Sequence, residues 1–134
     1  MTAGPAMKTP VSETGNIKPL LHEILHALDE LVSKGTERII DLRALPLAPG
    51  EEQRLLQILG AGEVSARLDA LGKSSIQESR FSGVWITTHF DSNGEIMGRY
   101  IEITRLPELL AAQPEDMAQG LEALRQFIAA GPDS

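Results

Sequence analysis

Apolar residues near the start of the chain recur with helical spacing. Between Ile17 and Lys34 they form one stripe at a period of 3.6 residues, made of Leu20, Leu21, Ile24, Leu25, Leu28, Leu31 and Val32. Gly35 directly follows and is a typical helix stop. The pattern therefore predicts a first helix over residues 17–34.

A short strand and a second helix are predicted next. The segment Glu37–Leu42 contains three aliphatic residues and favours a strand. Pro49 fits the first turn of a helix whose positive end is close to Glu51 and Glu52, and Gly60 ends that helix.

The period then changes to two, which is typical of β-strands. Residues 62–71 alternate between apolar and polar side chains, and a further strand candidate follows at residues 74–80. Residues 82–90 and 95–104 form the clearest hairpin, joined through Asp91-Ser92-Asn93-Gly94. After the hairpin, Pro107 opens a short helix and Pro114 begins the last helix, which ends at Gly131.

This order of elements predicts an α+β fold. We expect an antiparallel meander sheet of four to five strands with helices packed on one face. The residues expected to point inward are Val64, Leu68, Ile76, Val84 and Ile86. Trp85 has the opposite parity, and so does Tyr100 relative to Ile101. Both aromatic residues are therefore expected on an uncovered face suited to association, unless the tail or the last helix covers Trp85.

Length and composition fit one globular domain. We expect a flexible tail over residues 1–16, rich in Pro, Gly, Thr and Ser, and a single domain over residues 17–131. No apolar run is long enough to cross a bilayer, and the N-terminus has no secretory h-region. Cysteine is absent, which excludes disulfides and thiolate metal sites. These features favour a cytoplasmic protein.

The net charge of −7 narrows the class of partners. A potential of this sign repels nucleic acid and anionic lipid and attracts basic proteins or peptides. An acidic surface of this kind also serves solubility alone. We therefore expect no nucleic-acid or membrane partner.

The segment HEILH raises the possibility of a zinc hydrolase. His22 and His26 are four residues apart on one helical face, and Glu23 could act as the base. The continuation ALDELV lacks the downstream Gly and third His of the extended metzincin motif. His89, the remaining histidine, is expected on a distant strand. A metal site at His22 and His26 is the alternative to a protein without catalytic activity.

Other candidate chemistry is weak. Glu63 and Glu78 could form a carboxylate pair on neighbouring strands, but ion pairs with Arg67 or Arg80 are the simpler interpretation. The serines lack the Gly-x-Ser-x-Gly context of a nucleophile. Binding is therefore favoured over catalysis, and we predict that the chain is not an enzyme.

Three later segments resemble the conserved C-terminal region of the HupH/HyaF hydrogenase expression proteins. They are GAGEVSARL (60–68), IQESRFSGVWIT (76–87) and YIEITRLPELL (100–110). The preceding IIDLRALPLAPGEEQRLLQILG is similar to that family's lead-in, so the resemblance covers most of residues 37–110.

The resemblance implies an accessory protein, or assembly chaperone, for [NiFe] hydrogenase maturation. Its implied partners are the hydrogenase small subunit or its precursor and other accessory proteins, and no cofactor is implied. The family offers no catalytic residues to carry over. Among the matching positions, Glu63, Glu78, Phe81 and Trp85 are the best candidates for partner contact, and the open sheet face adds Tyr100. A homodimeric scaffold that pairs through this face is a further alternative.

Overall fold

The computed structural model describes residues 15–69 and 72–131. In these residues the α-helices are α1 (Ile17–Lys34), α2 (Glu51–Leu59) and α3 (Pro114–Ala130). The strands are β1 (Arg38–Asp41), β2 (Ser65–Asp69), β3 (Lys73–Glu78), β4 (Val84–Phe90) and β5 (Ile96–Ile103). Short 3₁₀ helices occupy Leu42–Ala44 and Glu108–Leu110.

The five strands form one antiparallel sheet in the order β1-β5-β4-β3-β2. Strands β2 to β5 are a meander, as expected from the short connections between them. Strand β1 joins the free side of β5, so the segment containing α2 crosses from one edge of the sheet to the other. The predicted α+β class and antiparallel sheet are confirmed.

Glycines end the first two helices where the sequence predicts. Gly35 has φ +74° and its N–H donates to the carbonyl of Leu31 at 2.9 Å. Gly60 follows α2 with φ +66°. Both conformations lie in the left-handed half of φ space, which side chains with a Cβ rarely adopt.

The hydrophobic core lies between the sheet and the layer formed by α1 and α2. It comprises Leu20, Ile24, Ala27, Ile40, Leu42, Leu55, Leu59, Val84, Ile86, Ile101 and Ile103. The apolar stripe of α1 is wider than the surface that the sheet covers, because Leu25 and Val32 are 58% and 80% exposed. Part of the stripe is therefore available for contact with something other than the core.

An ion-pair network fixes α2 on the sheet. The Arg99 guanidinium on β5 lies 2.8 Å from the Glu52 carboxylate, and its Nε donates to Thr88 Oγ1 at 3.1 Å. Arg43 approaches the same carboxylate at 3.4 Å. The shared carboxylate connects β5, α2 and the segment after β1.

Three of the five residues expected to point inward do not. Val84 and Ile86 face the helices, but Ile76 is paired with Thr87 and is completely buried on the opposite face. Leu68 has the same parity as Ile76 through its pairing with Ser74. Val64 precedes β2 and is 45% exposed.

The register between β3 and β4 explains this error. In the turn after β3, the Ser79 N–H donates to the Val84 carbonyl, and the Val84 N–H donates to the Phe81 carbonyl. This turn sets Gln77 opposite Ile86, and a shift of one residue moves every side chain of a strand to the other face.

Helix α3 does not join the helical layer. All of its residues are exposed, in contrast to the expectation that helices at both ends of the domain cover the sheet. The predicted N-terminal tail lies outside the described residues except for Gly15 and Asn16. Within residues 15–69 and 72–131, no helix combines the length and the apolar content needed to cross a bilayer.

Replacing a core residue of β5 tests the assignment of the core. We expect Ile101→Ala to lower the free energy of unfolding by about 2–5 kcal/mol, because the removed atoms are fully buried and leave a cavity. Ile39 on the adjacent strand is 64% exposed, so Ile39→Ala is the matched control and should change it by less than about 1 kcal/mol. Urea denaturation measures both, and equal losses would contradict this core.

Candidate protein-interaction surface

Trp85 is buried on the sheet face opposite α1 and α2. Its side chain is on the predicted face, but the residue is only 5% exposed, and the indole N–H donates to the Thr104 carbonyl at 3.0 Å. A buried Trp normally finds such a partner for its N–H group. The prediction that Trp85 is bare to water is therefore wrong, because the chain leaving β5 lies against the ring.

Tyr100 is half-buried on the same face and packs within the sheet. Its ring meets the His89 ring edge-on, with centroids 5.7 Å apart, and His89 Nδ1 lies 2.7 Å from Ser74 Oγ. These side chains connect β3, β4 and β5 at one end of the sheet. The arrangement offers part of one aromatic ring for contact.

Glu63 and Glu78 have different environments. Glu63 is exposed at the start of the approach to β2. Glu78 instead accepts the backbone N–H groups of Glu63 at 3.1 Å and Val64 at 3.3 Å. A Cβ at Gly62 would lie 2.5 Å from the Ser79 carbonyl oxygen, so this close approach of the backbone requires glycine. The carboxylate of Glu78 therefore holds the entry to β2.

Phe81 lies in the turn between β3 and β4 and is 43% exposed. The Arg80 guanidinium carbon is 5.0 Å from the centre of its ring, within the range of a cation–π contact. The ring also lines an apolar groove between α1 and α2. Of the five predicted contact residues, Phe81 and Glu63 present exposed side chains. Both lie near the end of β3, because the Glu63 N–H donates to Glu78 and Phe81 follows Glu78 by three residues.

The HEILH segment forms part of the outer surface of α1. His22 and His26 are exposed, and Glu23 makes a 2.6 Å ion pair with Arg38 of β1. Across residues 15–69 and 72–131, no group of three or more His, Asp or Glu side chains is placed to hold a metal ion. The geometry of the segment is that of a helix surface tied to the edge strand.

The structure adds a surface that sequence reasoning missed. A hollow of about 350 Å³ opens beside β1, and we call it the acidic hollow. Its defining residues are Glu37, Ile39, Glu102, Leu106 and Glu108. Ile39 is directly opposite Glu102 across the β1–β5 ladder, on the face that also carries Trp85. The adjacent aliphatic residues Ile39 and Ile40 were the available sequence signal, because neighbouring side chains of a strand point to opposite faces.

Hydroxyl groups orient two carboxylates of the acidic hollow. Thr87 Oγ1 donates to Glu102 at 2.6 Å, and Thr104 Oγ1 donates to Glu37 at 2.5 Å. The apolar part is exposed, with Ile39 at 64% and Leu106 at 50%. Arg38 also borders the hollow, but its guanidinium is engaged by Glu23. The hollow combines oriented negative charge with apolar surface.

Comparisons with known proteins identify the family. Residues 14–130 match the family model described as HupH hydrogenase expression protein, C-terminal conserved region. The solved structure of the hydrogenase expression protein HupH from Thiobacillus denitrificans superposes with a TM-score of 0.84 at 39% identity, covering 89% of this chain and 99% of that one. The resemblance seen in the sequence is confirmed, and the match includes His22–His26.

Curated relatives are longer proteins. The hydrogenase expression/formation protein HoxQ of Cupriavidus necator is 41% identical over 95 residues, which is 68% of this chain and 31% of that protein. The hydrogenase-1 operon protein HyaF of Escherichia coli is 29% identical over 124 residues, which is 90% of this chain and 42% of that protein. The chain thus spans between about a third and two fifths of their length.

The environment of Trp85 can be measured directly because it is the single tryptophan. We expect acrylamide to quench its fluorescence several-fold less in the native protein than in urea, since the indole is only 5% exposed. Equal quenching in the two states would show that the ring is accessible.

The structural role of Glu78 gives a second test. We expect Glu78→Ala to lower the free energy of unfolding by about 1–2 kcal/mol, because two backbone N–H groups lose a charged acceptor. Glu63→Ala removes a neighbouring exposed carboxylate and should change it by no more than about 0.5 kcal/mol. Thermal or urea denaturation compares the pair, and equal effects would contradict the assigned role.

Proposed function

Because this chain belongs to the HupH hydrogenase expression protein family through its C-terminal conserved region, we propose that it is a non-catalytic assembly chaperone for [NiFe] hydrogenase. It acts in the cytoplasm and holds the immature small subunit through that subunit's arginine-bearing leader, alongside other accessory proteins. The relatives' names supply the process, hydrogenase expression and formation. The acidic hollow is the observation that carries the mode of binding.

The chemistry of the hollow suits a segment that carries both arginine and apolar residues. Glu37, Glu102 and Glu108 offer carboxylate oxygens to a guanidinium, which pairs with them in a planar, two-pronged geometry. Ile39 and Leu106 offer apolar surface a short distance away. A leader in which arginines are followed by apolar residues satisfies both parts at once.

Strand β1 provides a backbone template beside the hollow. It pairs with β5 on one side, and no strand of the described residues pairs with its other side. An extended peptide can add to such an edge through main-chain hydrogen bonds, with alternate side chains pointing to one face. Those side chains would lie over Ile39 and the carboxylates.

The charge of the whole chain favours the same partner. With a net charge of −7 it attracts a cationic segment at long range and raises the rate of encounter. The threonine hydroxyls that hold Glu37 and Glu102 reduce the cost of ordering these side chains on binding. Fixed acceptors of this kind favour recognition of a cation.

The proposal is tested by retention of the small-subunit precursor on the immobilised chain. We expect the precursor with its leader to be retained and the form lacking the leader to be lost. Retention of neither form would discard the proposal. Equal retention of both forms would show that the chain binds the small subunit outside its leader.

Neutralising the hollow should weaken binding of a synthetic leader peptide. We expect the triple variant Glu37→Gln, Glu102→Gln and Glu108→Gln to raise its Kd by about tenfold, because each lost ion pair at a partly exposed site contributes up to about 1 kcal/mol. Glutamine retains a side-chain carbonyl that can accept the threonine hydrogen bond. Binding by the unmodified chain should also weaken as salt screens the charges.

A charge-matched variant separates local contact from the general field. Glu30→Gln, Asp69→Asn and Glu95→Gln remove the same amount of charge from exposed positions outside the hollow. In isothermal titration calorimetry, this control should bind the synthetic leader peptide with a Kd close to that of the unmodified chain. Equal weakening in both triple variants would show that the hollow is not the site.

A further inference from the structure

Helix α3 carries a long apolar face that is exposed in the described structure. Its large apolar side chains are between 54% and 60% exposed: Met117, Leu121, Leu124, Phe127 and Ile128. Their spacing of three and four residues places four of them in one stripe, with Phe127 at its margin. An apolar surface of this extent on a 17-residue helix is typical of an interface.

The helical layer of the same chain contains a matching depression. We call it the apolar groove, lined by Leu21, Leu25 and Leu28 of α1, Ile58 and Leu59 of α2, and Phe81. Its volume of about 250 Å³ is below the roughly 300–1,000 Å³ of small-molecule pockets, so it fits side chains of a protein partner better. Leu25 and Phe81 are 58% and 43% exposed at its rim.

Side-chain hydrogen bonds order the connector before α3. The Gln113 side-chain amide donates to the carbonyls of Ala111 at 3.0 Å and Glu108 at 3.4 Å. Gln113 itself is extended, with φ −82° and ψ 147°, as expected for a residue before proline. These contacts order the connector, and α3 continues from it with its apolar stripe exposed.

A second copy of the chain can cover both the apolar stripe of α3 and the apolar groove. We propose that α3 of one chain lies in the apolar groove of a second copy, and that the second α3 occupies the first groove in a twofold dimer. Each copy supplies one helix and one groove, so the contact closes on itself. Two such contacts, with five large side chains on each helix, approach the roughly 1,200–2,000 Å² of a standard interface.

The expected salt dependence distinguishes this contact from leader binding. Two chains of net charge −7 repel each other, and salt screens that repulsion without weakening the apolar contact. The Kd of the dimer should therefore stay constant or fall as salt is added, whereas the Kd of the complex with the cationic leader should rise. The inference does not depend on the proposed chaperone function.

Sedimentation of the full chain over a concentration series tests the helix half of the contact. We expect the unmodified chain to dimerise and Leu121→Glu with Leu124→Glu to raise the dimer Kd by about a hundredfold or more, as for central interface residues. Leu and Glu have similar helix propensities, so circular dichroism should show that α3 remains helical. Gln119→Glu with Gln126→Glu adds the same charge on the opposite side of α3 and should leave the Kd nearly unchanged.

A mixing experiment tests the groove half. Leu25→Glu places a charge at the rim of the groove and should also prevent self-association. A mixture of Leu25→Glu chains with Leu121→Glu/Leu124→Glu chains should form heterodimers, because one chain retains an intact helix and the other an intact groove. A monomeric unmodified chain, a Leu25→Glu chain that still dimerises through α3 alone, or a mixture without heterodimers would each overturn the proposal.

Discussion

The packing of strand β5 against both of its neighbours and the helical layer is the contact on which the remaining structure depends. Ile101 and Ile103 are fully buried on the side of the helices. On one edge they are paired with Ile40 and Arg38 of β1, and on the other with Ile86 and Val84 of β4. Residues from the first third of the chain are thereby joined to the hairpin near its end. The acidic hollow exists only while this pairing holds β1 beside β5.

The buried indole of Trp85 positions residues of the acidic hollow but does not line it. Its N–H group holds the Thr104 carbonyl, and this contact keeps the segment after β5 against the sheet. Leu106 and Glu108 on that segment then stand beside Ile39 and Glu102. Burying one large apolar side chain thus assembles a neighbouring site from residues far apart in the sequence.

The two interaction surfaces have different physical chemistry and lie on different parts of the fold. The acidic hollow is at the β1 edge, on the face opposite the helices, and uses charge together with main-chain hydrogen bonds. The apolar groove is in the helical layer and uses surface removed from water. Neither surface shares a defining residue with the other, so one chain can present both at once.

The sequence by itself determined the helices, the antiparallel meander and the family. Periodicity and glycine stops predicted α1 over Ile17–Lys34 and the end of α2 at Gly60, because these signals act over neighbouring residues. The family followed from the order and spacing of short segments, such as the stretch from Ile76 to Thr87. Local signals of this kind are readable without coordinates.

Only the tertiary structure decided which faces were covered. The alternation around Trp85 predicted the face of its side chain correctly but not its burial, since that depends on the Thr104 contact 19 residues later. The register between β3 and β4 moved Ile76 to the other face, because one turn sets the pairing of a whole strand. The acidic hollow needed β1 beside β5, and the exposure of α3 reflects the absence of a packing partner for its stripe among the described residues. Contacts between distant segments determine each of these features, and periodicity carries no information about them.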